Sequence, residues 1–134
     1  QVTASGLAAS FPPLRSLDAF PHNLPLQRST FVGREAEREA LRERIAAQRL
    51  VTITGVGGCG KTRLALEVGA QVIDRFPDGV FFVDLSSQTE PGLVATTILG
   101  ALGLPGSVGS ADARLIEFLR DRRGLLLLDN CEHL

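Results

Sequence analysis

The sequence predicts an α/β layer fold, a parallel sheet flanked by helices, on three observations. Short continuous apolar runs, "LVTIT" (50–54), "VFFVDL" (80–85) and "LLLLDN" (125–130), alternate with stretches of helical period. These runs lack the alternation of a half-solvated strand, so they read as strands buried on both faces, the habit of parallel sheets. A glycine-rich turn, "GVGGCGKT" (55–62), leads from the first run directly into a helical pattern.

Each element has a local reason. Residues 1 to about 30 carry Pro12, Pro13, Pro21 and Pro25 with no sustained period and read as an extended linker or arm that wraps onto something else. "REAEREALRERIAAQ" (34–48) is rich in helix formers, with Leu41 and Ile45 four apart and Ala36 and Ala40 above them as a narrow apolar stripe. After the glycine turn, "KTRLALEVGAQVIDRF" places Leu64, Ala65, Val68 and Val72 at helical spacing. "PDG" (77–79) is a turn before the second strand. Pro91 suits the first turn of the helix "GLVATTILGAL", which Gly103 ends. A loop, "LPGSVGS", follows, and Ser110 is placed to cap the helix "ADARLIEFLRDRR". The last strand stops at Asp129. There is no internal repeat.

Composition narrows the function classes. In 134 residues, 14 basic side chains face 15 acidic ones. No cationic excess exists to neutralise a phosphate backbone, so direct nucleic-acid binding by this chain is not expected. The arginines of "REAEREALRER" are interleaved with acids and read as a solvated helix face. Two cysteines suit a reducing cytoplasm rather than a disulfide framework. The first residues, without a basic n-region or a sustained apolar core, read as a poor secretory signal, and no apolar run approaches the ~20 residues of a membrane span, so no membrane partner is expected. A first residue of Gln rather than Met reads as a fragment.

"GVGGCGKT" fits G-x-x-x-x-G-K-[ST], the Walker A pattern, in its required setting between a strand and a helix. Gly55, Gly57, Gly58 and Gly60 allow positive φ angles that turn backbone N–H groups of the loop onto phosphate oxygens, with Val56 and Cys59 between them. The helix beginning near Lys61 adds its positive end to the same anion site. Thr62 supplies a hydroxyl for Mg²⁺, and Arg63 follows in the first turn. Lys61 is the sole lysine beside thirteen arginines. A compact ammonium fits between β- and γ-phosphates where a planar guanidinium does not. The alternative is a chance glycine turn, which the strand–loop–helix setting disfavours.

Such a loop needs an acid from a buried strand end to hold Mg²⁺ through water, and Asp129 fits that Walker B role. The bland reading of Asp129 is a strand-ending turn residue. Asn130 stands where many ATPases of this architecture carry a second acid, and an amide cannot act as a general base. Glu132 is the nearby substitute, set against a plain surface acid. The candidate catalytic set is therefore Lys61, Asp129 and Glu132. Cys59 and Cys131 should both lie at the carboxyl edge of the sheet and read as inert small residues ahead of an oxidised pair. His133 has no assigned role, and His22 reads as a linker residue.

"FVGREAE" (31–37), the phosphate loop, "FPDGVFFVDLS" and "LLLLDNCEHL", in that order, resemble the signal-transduction ATPases with numerous domains (the STAND class). The likeness is to the NB-ARC-like, AAA-like modules of large bacterial transcriptional regulators and cyclase-linked proteins. It implies a three-layer P-loop NTPase, with residues 1–30 as connector and 31–134 as the N-terminal part of the domain. It also implies that Val32, Gly33 and Arg34 lie near adenine, with backbone groups of Phe31 and Val32 as its hydrogen-bonding partners. Read from residues alone, the same element is a helix start capped by Thr30 or Gly33, with Arg34 in solvent. ATP or ADP with Mg²⁺ is the implied cofactor. ADP would hold a closed state and ATP an open, self-associating one, working with other domains of the parent chain. The family sheet order is 5-1-4-3-2, and this chain is expected to stop after the third strand. The strand at 50–54 would then be unpaired at its edges, and hydrolysis slow or absent.

Three other classes compete with this reading. A non-catalytic scaffold with a vestigial site is distinguished by nucleotide affinity. A GTPase would want D-x-x-G and N-K-x-D, which this chain lacks after Asp129. A small-molecule kinase would need an acceptor pocket that no residue identifies.

Overall fold

The computed structural model describes residues 17–26, 33–104, 106 and 109–134. Helix α1 spans Glu35–Ala47 and α2 spans Lys61–Gln71. Strand β1 is Val80–Asp84, α3 is Val94–Ala101, α4 is Ala111–Leu119 and β2 is Leu125–Asp129. The strands pair in parallel, Val80 opposite Leu125 through Asp84 opposite Asp129. That pairing needs a crossover, and α3 and α4 provide it.

Because strand side chains alternate, the register divides them into two faces. Gly69 of α2 lies against Val80 and Leu127, so one face meets α2. There Leu41, Leu64, Val68 and Val72 form a buried cluster, with Ile45, Phe76 and Leu125 packed on it. On the other face Val83, Leu85 and Ile98 form a second cluster, joined by Leu115 of α4 and Leu126. The result is three layers, α1 and α2 on one side and α3 and α4 on the other.

Several expectations need correction. Residues 50–54 are not a buried strand: they have no ladder partner among the described residues. A β-branched run becomes a strand only when neighbours take its N–H and C=O groups. Val51 and Ile53 still pack on the α1–α2 cluster, while Leu50 is 83% exposed. Val51, Ile53, Leu125 and Leu127 line an open cleft of about 890 Å³. Facing that cleft, β2 is half-buried rather than buried, with Leu128 exposed.

The helices end earlier than their periods suggested. α2 stops at Gln71 and passes into a 3₁₀ turn, Ile73–Arg75. α4 stops at Leu119, where the arginine-rich run turns outward. Ala36 and Ala40 are exposed, and Arg38 is partly buried instead, its guanidinium near Glu67 of α2. Ser110 stands at the N-cap of α4 but makes no side-chain cap bond, and the N-cap of α1 is Arg34 rather than Gly33, again without a side-chain cap bond. Thr30 lies outside the described residues. Pro91 opens a 3₁₀ turn before α3, and Gly103, at φ 74°, follows its end as expected.

The segment before α1 contributes directly. The Pro21 carbonyl accepts the Val80 N–H at 3.1 Å, and His22 forms a parallel bridge with Val80. This short pairing covers the edge of β1 away from β2.

Candidate functional site

The turn 55–60 is built around Gly58 and Gly60, at φ 74° and 84°. These left-handed angles are costly for any residue with a Cβ, so glycine is required there. Gly57 lies outside that region, a correction to the expectation for it. Gly55 has a different reason: a Cβ there would lie 2.9 Å from the Cys59 sulfur. Gly60 also begins α2, its carbonyl accepting the Leu64 N–H at 2.9 Å. The first-turn N–H groups of an eleven-residue helix are thereby aimed into the loop.

Lys61 leads that helix. Its Nζ donates to the carbonyls of Gly55 at 2.9 Å and Val56 at 3.2 Å. The ammonium is held over the loop without an acid partner in those bonds, so it keeps its charge for an anion. Thr62 follows, and its Oγ1 donates to Asp129 Oδ2 at 2.6 Å. This bond joins residues 67 positions apart and brings the end of β2 onto the first turn of α2. Arg63 is partly buried in the same turn.

Arg34 comes to the same place from the start of α1. Its Nη1 lies 4.0 Å from where a Cβ on Gly60 would be, and its φ of 60° is left-handed. A guanidinium here sets a second positive charge beside the loop. Gly33, at φ 85°, has open space around its α-carbon. Phe31 and Val32 lie outside the described residues.

Past Asp129 the chain turns at Asn130, whose φ is 55°. Its Nδ2 donates to Asp84 Oδ1 at 2.9 Å. Asp84 also accepts the Ser86 N–H at 2.9 Å. The Asn130 amide, then the Ser86 N–H and hydroxyl, hold the Asp84 carboxyl below its ordinary value. Glu132 is exposed in the turn, on the rim of the cleft. His133 Nε2 contacts the Gln88 carbonyl. Cys59 and Cys131 are free thiols, the first partly buried and the second exposed.

The structure thus gathers Arg34, the loop 55–60, Lys61, Thr62 and Asp129, and Glu132 lines the same open cleft as Lys61 and Asp129. Asp84 was missed by sequence reasoning. Its signal was present, since "VFFVDL" and "LLLLDN" each carry an acid in the fifth position, where the strand ends. The donor set suits a phosphate with a hard cation: backbone N–H groups, an ammonium, a hydroxyl and a carboxylate. Among the described residues, no group of three or more His, Cys, Asp or Glu gathers as a metal cage. A cation here would therefore share its shell with phosphate and water. No described helix is long and apolar enough to cross a membrane.

Comparison with known proteins concerns the family of the chain. An uncharacterized protein of Mycobacterium tuberculosis is 44% identical over 114 residues, covering 84% of this chain and 29% of that protein. A protein provisionally named an HTH-type transcriptional regulator, from the same species, is 47% identical over 95 residues, covering 70% of this chain and 10% of its own length. Regulatory protein AfsR of Streptomyces griseus is 36% identical over 124 residues, covering 82% of this chain and 13% of that protein. The chain therefore spans less than a third of the length of these relatives. No solved structure matches it significantly. The model of a family described as "AAA domain" matches residues 42–134, well over half of the sequence. With its glycine loop, parallel strands and flanking helices, the chain belongs to the AAA domain family.

Proposed function

We propose that this chain is the phosphate-binding part of a regulatory ATPase module that takes ATP or ADP with Mg²⁺ and acts as a nucleotide-dependent switch in a transcriptional regulator. The Thr62–Asp129 bond carries the reading, because it joins a hydroxyl and a carboxylate suited to one hard cation beside the phosphate loop. Lys61 and Arg34 supply the positive charge, and the α2 N-terminus supplies oriented N–H donors. Bound magnesium would neutralise phosphate charge. The chain's own task is to hold that phosphate against Lys61 and keep Asp129 beside Thr62.

The regulatory context rests on the relatives' names, and the finer STAND, NB-ARC-like assignment rests on "FVGRE" and the order of motifs. Other domains of the parent chain and self-association with ATP are the partners this reading implies. A cytoplasmic setting goes with it. Glu132 is the weaker member of the catalytic set, because it sits exposed in the turn after β2 rather than at the strand end.

A second reading, a scaffold with a vestigial site, is favoured by one observation: residues 50–54, which lead into the loop, have no ladder partner among those described. Calorimetric titration with Mg·ATP and with ADP, beside Lys61→Ala, separates the two. The switch reading expects binding that Lys61→Ala abolishes. No heat from a chain that circular dichroism shows to be folded would leave the scaffold.

A further inference from the structure

Two acids end the two strands, and they stand side by side. Asp84 and Asp129 are partners in the parallel register, so both belong to the face that meets α2. Neighbouring strands run about 4.8 Å apart. Only Asp129 bonds Thr62; the Asp84 carboxylate is committed to Asn130 and Ser86.

Asn130 is the next residue after Asp129, and its backbone is left-handed at φ 55°. Asparagine tolerates that region better than most residues, but the conformation still needs support. Asp84 provides it across the strands at 2.9 Å. Two further contacts tie the same segments: the Leu85 N–H donates to the Asp129 carbonyl at 3.0 Å, and His133 meets the Gln88 carbonyl. The exit of β2 is thus latched to the exit of β1 at three points. Asp129 lies inside the latch, so its aim toward Thr62 depends on it.

We propose that Asp84 is a positioning residue of the nucleotide site: by gripping the Asn130 amide it holds the corner after Asp129 and so keeps the Asp129 carboxylate aimed at the cation held with Thr62. The proposal rests on the reading of the site as one for Mg·nucleotide. It also gives Asn130 a role. Its amide is a donor that a second acid at this position would lack, and an aspartate there would set two carboxylates against each other.

If Asp84 merely finishes a strand, its loss lowers stability and weakens nucleotide binding equally with and without magnesium. If it aims Asp129, only the magnesium-dependent part of the affinity falls. The experiment is titration of the folded chain with ATP, once in excess Mg²⁺ and once in EDTA, for the native sequence, Asp84→Ala, Asp84→Asn and Asn130→Ala. The expected result is an affinity about tenfold weaker in Mg²⁺ for Asp84→Ala and Asn130→Ala, as for other residues that orient a metal ligand. Their affinity in EDTA should match the native chain. Asp84→Asn should stay near native, because its amide oxygen still accepts the Asn130 N–H. Should Asp84→Ala not fold, Asn130→Ala carries the same test from the other side of the bond. A full magnesium increment in both alanine variants overturns the proposal, and so does an equal loss in both buffers. If the native chain binds through Lys61 while these variants behave as native, this proposal alone fails. If the native chain binds no nucleotide, the proposed function fails, and this inference with it.

Discussion

Asn23 grips Phe82 at both ends of its peptide group from 59 residues away: its Oδ1 accepts the Phe82 N–H at 2.6 Å, and its Nδ2 donates to the Phe82 carbonyl at 2.9 Å. A side-chain amide thereby imitates the backbone of a neighbouring strand. The same Nδ2 reaches the Ala101 carbonyl at the end of α3, at 3.5 Å. Replacing Asn23 with Ala leaves the Phe82 groups without these partners and should lower stability by about 1–2 kcal/mol. Asn23→Asp should cost more, since it sets a carboxylate against the Phe82 carbonyl. Urea unfolding of both variants measures this; equal midpoints for Asn23→Ala and the native chain would show the grip to be idle.

Gly79 guards the same edge. Its φ is 109°, and a Cβ there would stand 2.5 Å from the Pro21 carbonyl oxygen and 2.7 Å from the Phe81 ring. Gly79→Ala should therefore destabilise by about 3 kcal/mol, through backbone strain and displacement of the arm. Hydrogen exchange supplies the check. The Val80 amide, bonded to Pro21, should lose protection in the variant by a larger factor than the α4 amides lose.

At the site, Thr62→Val keeps the shape and removes the hydroxyl that donates to Asp129. On the proposed function it should weaken Mg·ATP binding about tenfold or more, the usual worth of a hydrogen bond to a charged group, with Thr62→Ser recovering most of the loss. Titration calorimetry decides it. Native affinity in Thr62→Val would remove the hydroxyl from the cation's shell.

Asp84 gives a pH dependence of definite sign. Its folded-state carboxyl lies below the ordinary 3.8, chiefly through the Asn130 amide. The stabilisation is therefore complete above that ordinary value and is lost as pH falls through the lowered folded value. Asp84→Asn should flatten the acid limb of the stability profile below the ordinary carboxyl value of 3.8. The carboxylate is solvent-exposed, so the difference should stay under about 1 kcal/mol. Denaturant midpoints across that range give the measurement, and parallel profiles would contradict it.

The glycine loop, α2 and the two strands were legible because each is set by local pattern: left-handed glycines, a helical period, short apolar runs. Residues 50–54 carried an equally clear local signal and did not become a strand, because a strand is a property of its neighbours. The α2 core stripe was read too narrowly. Leu66 and Gly69 are buried with Leu64 and Val68, since α2 meets both α1 and the sheet. Asn23 was invisible in a proline-containing arm with no period. Asn130 was read only for the base it cannot be. Its use as a donor appears once the register sets it beside Asp84, and register is not a local property.

The two apolar clusters lie on opposite faces of a sheet that, among the described residues, is two strands wide. Each helical layer thus owns its hydrophobic interior, and the layers are joined by the ten residues of β1 and β2 and by the bonds of Asp78 to Arg122 and Arg123. A wide sheet would bind both interiors into one cooperative unit; a narrow one allows each to melt at its own denaturant concentration. Unfolding should accordingly be gradual and probe-dependent, with α1 and α2 parting from the strands at a different midpoint from α3 and α4.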